Sequence, residues 1–131
     1  MKEAIIQGYR AATIALPTFA DEQAYFGDTT PTDCAKRIAG YGVREVVVKD
    51  GANASYSLVE DELFEVKPQP VSAIIDTTGA GDSFNAGYLV GRMAKLKPEA
   101  AASLGHRVAG RVICHRGALV PMAAFSDLKV T

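Results

Sequence analysis

The stretch whose reading decides the fold is DTTGAGDSFNAGYL, Asp76 to Leu89. It sits between an apolar extended segment, Val71 to Ile75, and a helix expected from about Ser83 to Leu96 whose only charges are Arg92 and Lys95. A helix so poor in charge is expected to be mostly buried. Small residues at its start let a ligand approach the backbone, and the first free N–H groups, with the helix dipole, attract an anion such as phosphate. A carboxylate in the same turn repels phosphate unless it has another task. Asp82 has two readings: it accepts the proton of an attacking hydroxyl while the glycine-rich N–H groups hold the phosphoryl group, or it caps the helix.

Upstream, Glu45 to Lys49 carries Val46, Val47 and Val48 in succession, the pattern of a strand covered on both faces as in parallel α/β sheets. The turn-prone Asp50, Gly51 and Asn53 end it. Tyr56 to Glu60 and Phe64 to Val66 alternate and are joined through Asp61, which predicts a hairpin closed by Pro68 and Pro70. Further back, Thr30 is a helix cap followed by Pro31 at the first helical position, with Ala35 and Ile38 on one face before Gly40 and Gly42. Thr13 to Pro17 reads as a short strand. Thr18 then caps a helix to about Phe26, with Asp21 placed to complete a capping box. The first dozen residues have helical spacing, Ala4, Ile5 and Tyr9 sharing a face. Downstream, Pro98 opens a helix carrying Ala101, Leu104, Val108 and Val112, which ends near Gly117 and Pro121.

The chain has 131 residues, 48% of them apolar and 22% charged, with 14 Lys plus Arg against 15 Asp plus Glu. That balance fits a folded soluble domain with no broad field for nucleic acid or an anionic bilayer. No apolar run reaches the ~18 to 20 residues that cross a bilayer, and MKEAIIQGYR lacks the core of a secretory signal, so a cytoplasmic protein is expected. Cys34 and Cys114 lack metal-ligand spacing and are expected to be free thiols. There is no internal repeat, low-complexity tract or interdomain linker.

The run DTTGAGDSFNAGYL closely resembles the C-terminal signature of the ribokinase-like sugar kinases, the PfkB family, at about a dozen positions including Ala86 and Gly87. VVVKDGANASY, a hairpin, the signature, and a helix ending VICHRGALVP follow the family's order over essentially the whole chain. Within the family, IALPTFADEQAYFGDTTP followed by VVVKDGA is most similar to kinases of 2-keto-3-deoxygluconate. The resemblance implies a three-layer α/β/α fold, here the C-terminal part of a central, mostly parallel sheet with a β-hairpin and flanking helices. Residues 1–131 would be a single partial domain, the ATP-binding half of a protein roughly twice as long. The sugar-binding and lid portion would lie outside it.

The resemblance also assigns residues. Asp82 would be the catalytic base, with Gly79, Ala80 and Gly81 forming the anion hole. Lys49, Gly51, Ala52 and Asn53 would approach ATP, although Lys49 also reads as a solvated strand end. His106 would border the adenine, although a lone helical His is also an ordinary structural residue. Asp76 and Thr78 match positions that hold a monovalent cation, K+, in some members. Where many relatives have Asn-x-x-Glu, this chain has Thr18, Phe19, Ala20, Asp21, and Asp21 would act on Mg2+ through water. The implied activity is phosphoryl transfer from MgATP to a sugar or sugar acid, 2-keto-3-deoxygluconate before fructose or ribose. The alternative is a non-catalytic nucleotide-binding fragment or interaction module. Under the kinase reading the partners of the chain would be ATP and a small sugar or sugar acid, with no nucleic acid or membrane, and with self-association through exposed edges, the full-length family forming homo-oligomers.

Overall fold

The computed structural model describes residues 1–130. The described chain divides into two compact units, Met1–Glu65 and the residues from Val66 on.

The first unit contains helix α1 (Lys2–Ala11), strand β1 (Ile14–Ala15), helices α2 (Phe19–Phe26) and α3 (Pro31–Ala39), and strands β2 (Glu45–Lys49), β3 (Ser55–Val59) and β4 (Glu62–Val66). The sheet order is β1-β2-β3-β4, with β1 parallel and β3 antiparallel to β2. The sheet here is therefore mixed, because the hairpin supplies half of its strands. Val46, Val47 and Val48 are all fully buried, as their unbroken apolar run requires. Ala15, Cys34, Ala35, Ile38, Val43, Val46 and Val48 form the core, with Tyr9, Phe19 and Leu58 packed around it. The turn of the hairpin holds Glu60 and Asp61 at φ 50° and 66°, the left-handed pair that a two-residue connection between twisted strands demands.

Helix α3 starts as its sequence requires: Asp33 N–H donates to Thr30 Oγ1 at 3.1 Å, and Pro31 occupies the first turn. Helix α2 departs from expectation. Thr18 stands at the cap position with extended backbone, but its side chain makes no capping bond, so the Thr18–Asp21 capping box does not form. Instead Thr18 bridges to Lys49 across the sheet, and Gly27 ends the helix in the left-handed region at φ 75°.

The second unit is built on α4 (Ala80–Met93) and α5 (Pro98–Ile113), followed by a short 3-10 helix (Met122–Phe125). Helix α4 begins and ends about three residues earlier than the sequence suggests. Gly79, at φ 77°, turns the chain directly into the helix, and Lys95, at φ 66°, reverses it, with Leu96 N–H closing on Gly91 O at 2.9 Å. The helices touch along a glycine seam: a Cβ on Gly105 would stand 2.9 Å from the Phe84 carbonyl oxygen. Only one face of α4 is buried, through Phe84, Gly87, Tyr88 and Gly91. Leu89, Val90 and Met93 are exposed, which corrects the expectation of a mostly buried helix. Val71 to Ile75 runs extended without joining a sheet, and Ile74 and Ile75 are exposed.

Candidate functional site

In the first unit, the parallel pair β1 and β2 delivers two predicted groups to the carboxyl ends of the strands, where open α/β sheets place ligands. Pro17 O accepts from Lys49 N–H at 2.9 Å, and the Thr18–Lys49 bridge extends the contact. The start of α2, bearing Asp21, thus lies beside the loop Asp50–Asn53. That loop is a tight turn, with Asn53 N–H donating to Asp50 O at 2.9 Å, Asn53 Nδ2 donating to Asp50 Oδ2 at 3.2 Å, and Gly51 at φ 56°. Gly51, Ala52 and Asn53 are exposed and Lys49 is half-buried. Asp21 is an exposed carboxylate, so a hydrated Mg2+ can reach it.

In the second unit, the DTTGAGD turn is tied down by its first residue. Asp76 Oδ1 accepts from Thr78 N–H at 2.9 Å and from Thr78 Oγ1 at 2.7 Å, while Oδ2 accepts from Gly117 N–H at 2.8 Å. The Thr78 bonds first, then the Gly117 bond, hold this carboxyl below the usual carboxylate range. Ile75 and Asp76 N–H groups also donate to Ile113 O, at 2.8 and 3.2 Å. The turn is therefore braced by the far end of α5. Gly79 is the tightest point: a Cβ there would come 2.7 Å from Ala118 Cβ, so both its φ and its surroundings require glycine.

Gly79 caps α4, which makes Asp82 the third residue of the helix rather than its cap. The capping reading of Asp82 fails for that reason. Ala80 N–H is engaged by Thr77 O at 3.1 Å, whereas the Gly81 and Asp82 N–H groups have no acceptor among the described residues. The open donors of the expected anion hole thus come from Gly81 and Asp82, with Gly79 and Ala80 shaping the turn. Asp82 is exposed beside them. A carboxylate within one turn of two free N–H donors can take a proton from a hydroxyl whose oxygen attacks a phosphoryl group held by those donors.

His106 lies further along α5 and lines a cavity of about 250 Å³ with Gln69, Pro70, Val71, Arg107 and Cys114, among others. His106 Nε2 is 3.0 Å from Val66 O, its ring meets Phe84 edge-on at 4.9 Å, and burial pushes its pKa down. It is both held by the structure and adjacent to open space.

Sequence reasoning missed one polar cluster. Arg37 Nη2 contacts Glu22 Oε2 at 2.6 Å and Asp28 Oδ2 at 2.7 Å, its Nε contacts Asp28 Oδ1 at 2.9 Å, and its guanidinium lies 4.0 Å over the Phe26 ring. Tyr9 Oη donates to Glu22. Donor atoms of Glu22, Asp28 and Cys34 lie within 4.8 Å of one another, but Arg37 already supplies the positive charge, and the cluster is a brace between α2 and α3. The pairing spans fifteen positions and leaves no trace in local periodicity.

The model of the pfkB family of carbohydrate kinases matches residues 1–124. The chain belongs to that family. Among curated relatives of this pfkB chain, a 2-dehydro-3-deoxygluconokinase of Haemophilus influenzae is 38% identical over 98% of the chain and 41% of its own length. Its namesake in Escherichia coli K12 is 43% identical over 85% and 37%. The pfkB chain thus spans about two fifths of the length of the curated relatives it matches. The PfkB protein of Polaromonas sp. JS666 superposes with a TM-score of 0.75 at 29% identity, covering 84% of this chain and 35% of its own. A ribokinase-like protein of Escherichia coli in complex with ATP and Mg2+ reaches 0.79 at 24% identity over 89% and 38%, a likeness of fold.

Proposed function

We propose that this pfkB chain carries the nucleotide-binding and catalytic-base portion of a kinase that transfers the γ-phosphoryl group of ATP to a hydroxyl of 2-keto-3-deoxygluconate. The observation that carries the reading is Asp82 in the first turn of α4, next to the open N–H groups of Gly81 and Asp82, in a turn fixed by Asp76 and Gly79. Phosphoryl transfer asks a protein chiefly for positioning and charge stabilisation, which such a turn supplies. Asp82 takes the hydroxyl proton, the N–H groups hold the phosphoryl oxygens, and the cavity beside His106 takes the base. Lys49, Gly51, Ala52 and Asn53 are assigned to ATP by the resemblance of their own segment to the family.

Mg2+ neutralises phosphate charge when bound, and Asp21 fits it through a water molecule. Asp76 and Thr78 are the groups for a monovalent cation, for which carboxylate lone pairs not used by the turn are suited. The substrate assignment rests on the names of the relatives at 38 and 43% identity. The reading places the protein in the cytoplasm, with ATP and a sugar acid as its partners.

The match to only about two fifths of those relatives favours a second reading for the chain by itself, a nucleotide-binding module without sugar chemistry. Calorimetry with MgATP, with and without 2-keto-3-deoxygluconate, separates the two. Nucleotide binding that tightens with the sugar acid supports the kinase, nucleotide binding indifferent to it supports the module, and no nucleotide binding defeats both.

A further inference from the structure

Helix α2 is held by a carboxylate rather than by apolar packing. Ala20, Asp21, Gln23, Ala24 and Tyr25 are exposed, Phe19 and Phe26 are half-buried, and the residue of α2 that reaches burial is Glu22, 6% exposed. A charge taken out of water is costly unless it is paired and hydrogen-bonded, and both oxygens of Glu22 are engaged. Oε1 accepts from Tyr9 Oη on α1, and Oε2 accepts from Arg37 Nη2 on α3 at 2.6 Å. Burial, followed by the Glu22 contact, pushes the Tyr9 hydroxyl up, so it remains a donor at neutral pH. Tyr9 is stacked on Tyr41, with ring centroids 6.2 Å apart, and Arg37 is seated by Asp28, so neither donor is free to follow a moving helix.

The cap adds no restraint, since the Thr18 side chain makes no capping bond. The rotation of α2 about its own axis is therefore set at Glu22. Consecutive helical side chains stand about 100° apart, so with Glu22 held inward the preceding residue, Asp21, is held on the exposed side. A buried ion pair gives little net stability over an apolar contact of similar volume, but it gives direction, which an apolar contact does not. We propose that Glu22 is the positioning residue for Asp21: held by Tyr9 and Arg37, it fixes the rotation of α2 and so the direction from which the Asp21 carboxylate meets the hydration shell of Mg2+. The proposal rests on the function proposed above, in which Asp21 serves Mg2+ through water. A carboxylate acting through water makes no bond to the ion that could pull the helix into place, so its position has to come from the protein.

The test is calorimetry of ATP binding with Mg2+ and again in EDTA, on the whole chain and on Asp21→Asn, Glu22→Met, Glu22→Gln and Tyr9→Phe, the ratio of the two affinities being the gain from the metal. The gain is expected to fall about tenfold in Asp21→Asn and Glu22→Met, the low end of what losing a group that orients a metal ligand costs, and severalfold in Tyr9→Phe, with the affinity in EDTA unchanged in all three. Glu22→Gln is expected to keep most of the gain, because its amide oxygen accepts from Arg37 and its Nε2–H donates to the Tyr9 oxygen. A gain that falls in Asp21→Asn but stays at the parent value in Glu22→Met and Tyr9→Phe overturns the positioning and leaves the metal reading of Asp21 standing. A gain unchanged in Asp21→Asn, or absent from the parent chain, overturns that reading and the positioning with it. Affinity that falls equally with Mg2+ and in EDTA, or Glu22→Gln as weak as Glu22→Met, also overturns the positioning. Should Glu22→Met fail to fold, Tyr9→Phe against Glu22→Gln still decides the proposal.

Discussion

Gly117 donates its N–H to Asp76 Oδ2 at 2.8 Å across 41 positions of sequence, and that link ties the turn proposed to hold phosphate to the segment after α5. The same carboxylate holds Thr78 through its other oxygen, so one side chain both shapes the start of the turn and anchors it to the segment after α5. Asp76→Ala is therefore expected to leave the helices folded and to weaken MgATP at least severalfold, as read by calorimetry. Its carboxyl titrates below the usual carboxylate range, so the tie is intact above about pH 4 and is lost as pH falls through the lowered value. MgATP affinity should accordingly fall on the acid side more steeply in the parent chain than in Asp76→Asn, whose amide does not titrate.

Gly79→Ala meets two obstacles at once. Its φ of 77° is costly for any residue with a Cβ, and that Cβ would press on Ala118 at 2.7 Å. A loss of about 2 kcal/mol is expected from backbone strain of this kind. Thermal unfolding of the variant measures it, and an unchanged midpoint would show that the turn accommodates a side chain.

Arg37→Met removes the cation between two nearly buried carboxylates, Glu22 and Asp28. Breaking such a cluster from one side is expected to cost about 3 kcal/mol. Urea unfolding followed by circular dichroism is the measurement, with a clear fall in midpoint expected. The Arg37 hydrogen bonds hold the Asp28 carboxyl below its ordinary value, so this contribution is present above the unfolded value near pH 4 and is lost as pH falls through the lowered one. The parent chain should lose stability on acidification faster than the variant.

The two thiols are expected to behave differently. Cys34 is fully buried, and burial, followed by the Asp28 and Glu22 carboxylates, pushes its thiol up to about 12. Cys114 is half-buried beside the cavity. Ellman's reagent at pH 8 should titrate one thiol rapidly in the native chain and two in denaturant.

Much of this was legible in local sequence. The run Val46–Val48 announces a strand covered on both faces, Thr30 and Pro31 announce α3, and the signature from Asp76 to Leu89 points to a phosphate turn before any geometry is known. What escaped is non-local. The partners of Arg37 lie on another helix and a loop, and Asp76 reaches Gly117 beyond two helices. The start of α4 lies earlier than its sequence suggests because Gly79's positive φ admits the helix early, which makes Asp82 its third residue rather than its cap. The exposed face of Leu89, Val90 and Met93 defeated the burial expectation, since scarcity of charge does not say which neighbours a helix has.

Whether Asp82 takes the proton of the attacking hydroxyl is read from MgATP-dependent phosphorylation of 2-keto-3-deoxygluconate by the chain and by Asp82→Asn, with MgATP affinity measured on both. Comparable nucleotide affinity is expected, with a sugar-dependent rate lower by about a thousandfold in the variant, within the range typical of a lost general base. Equal rates in the two proteins would contradict it.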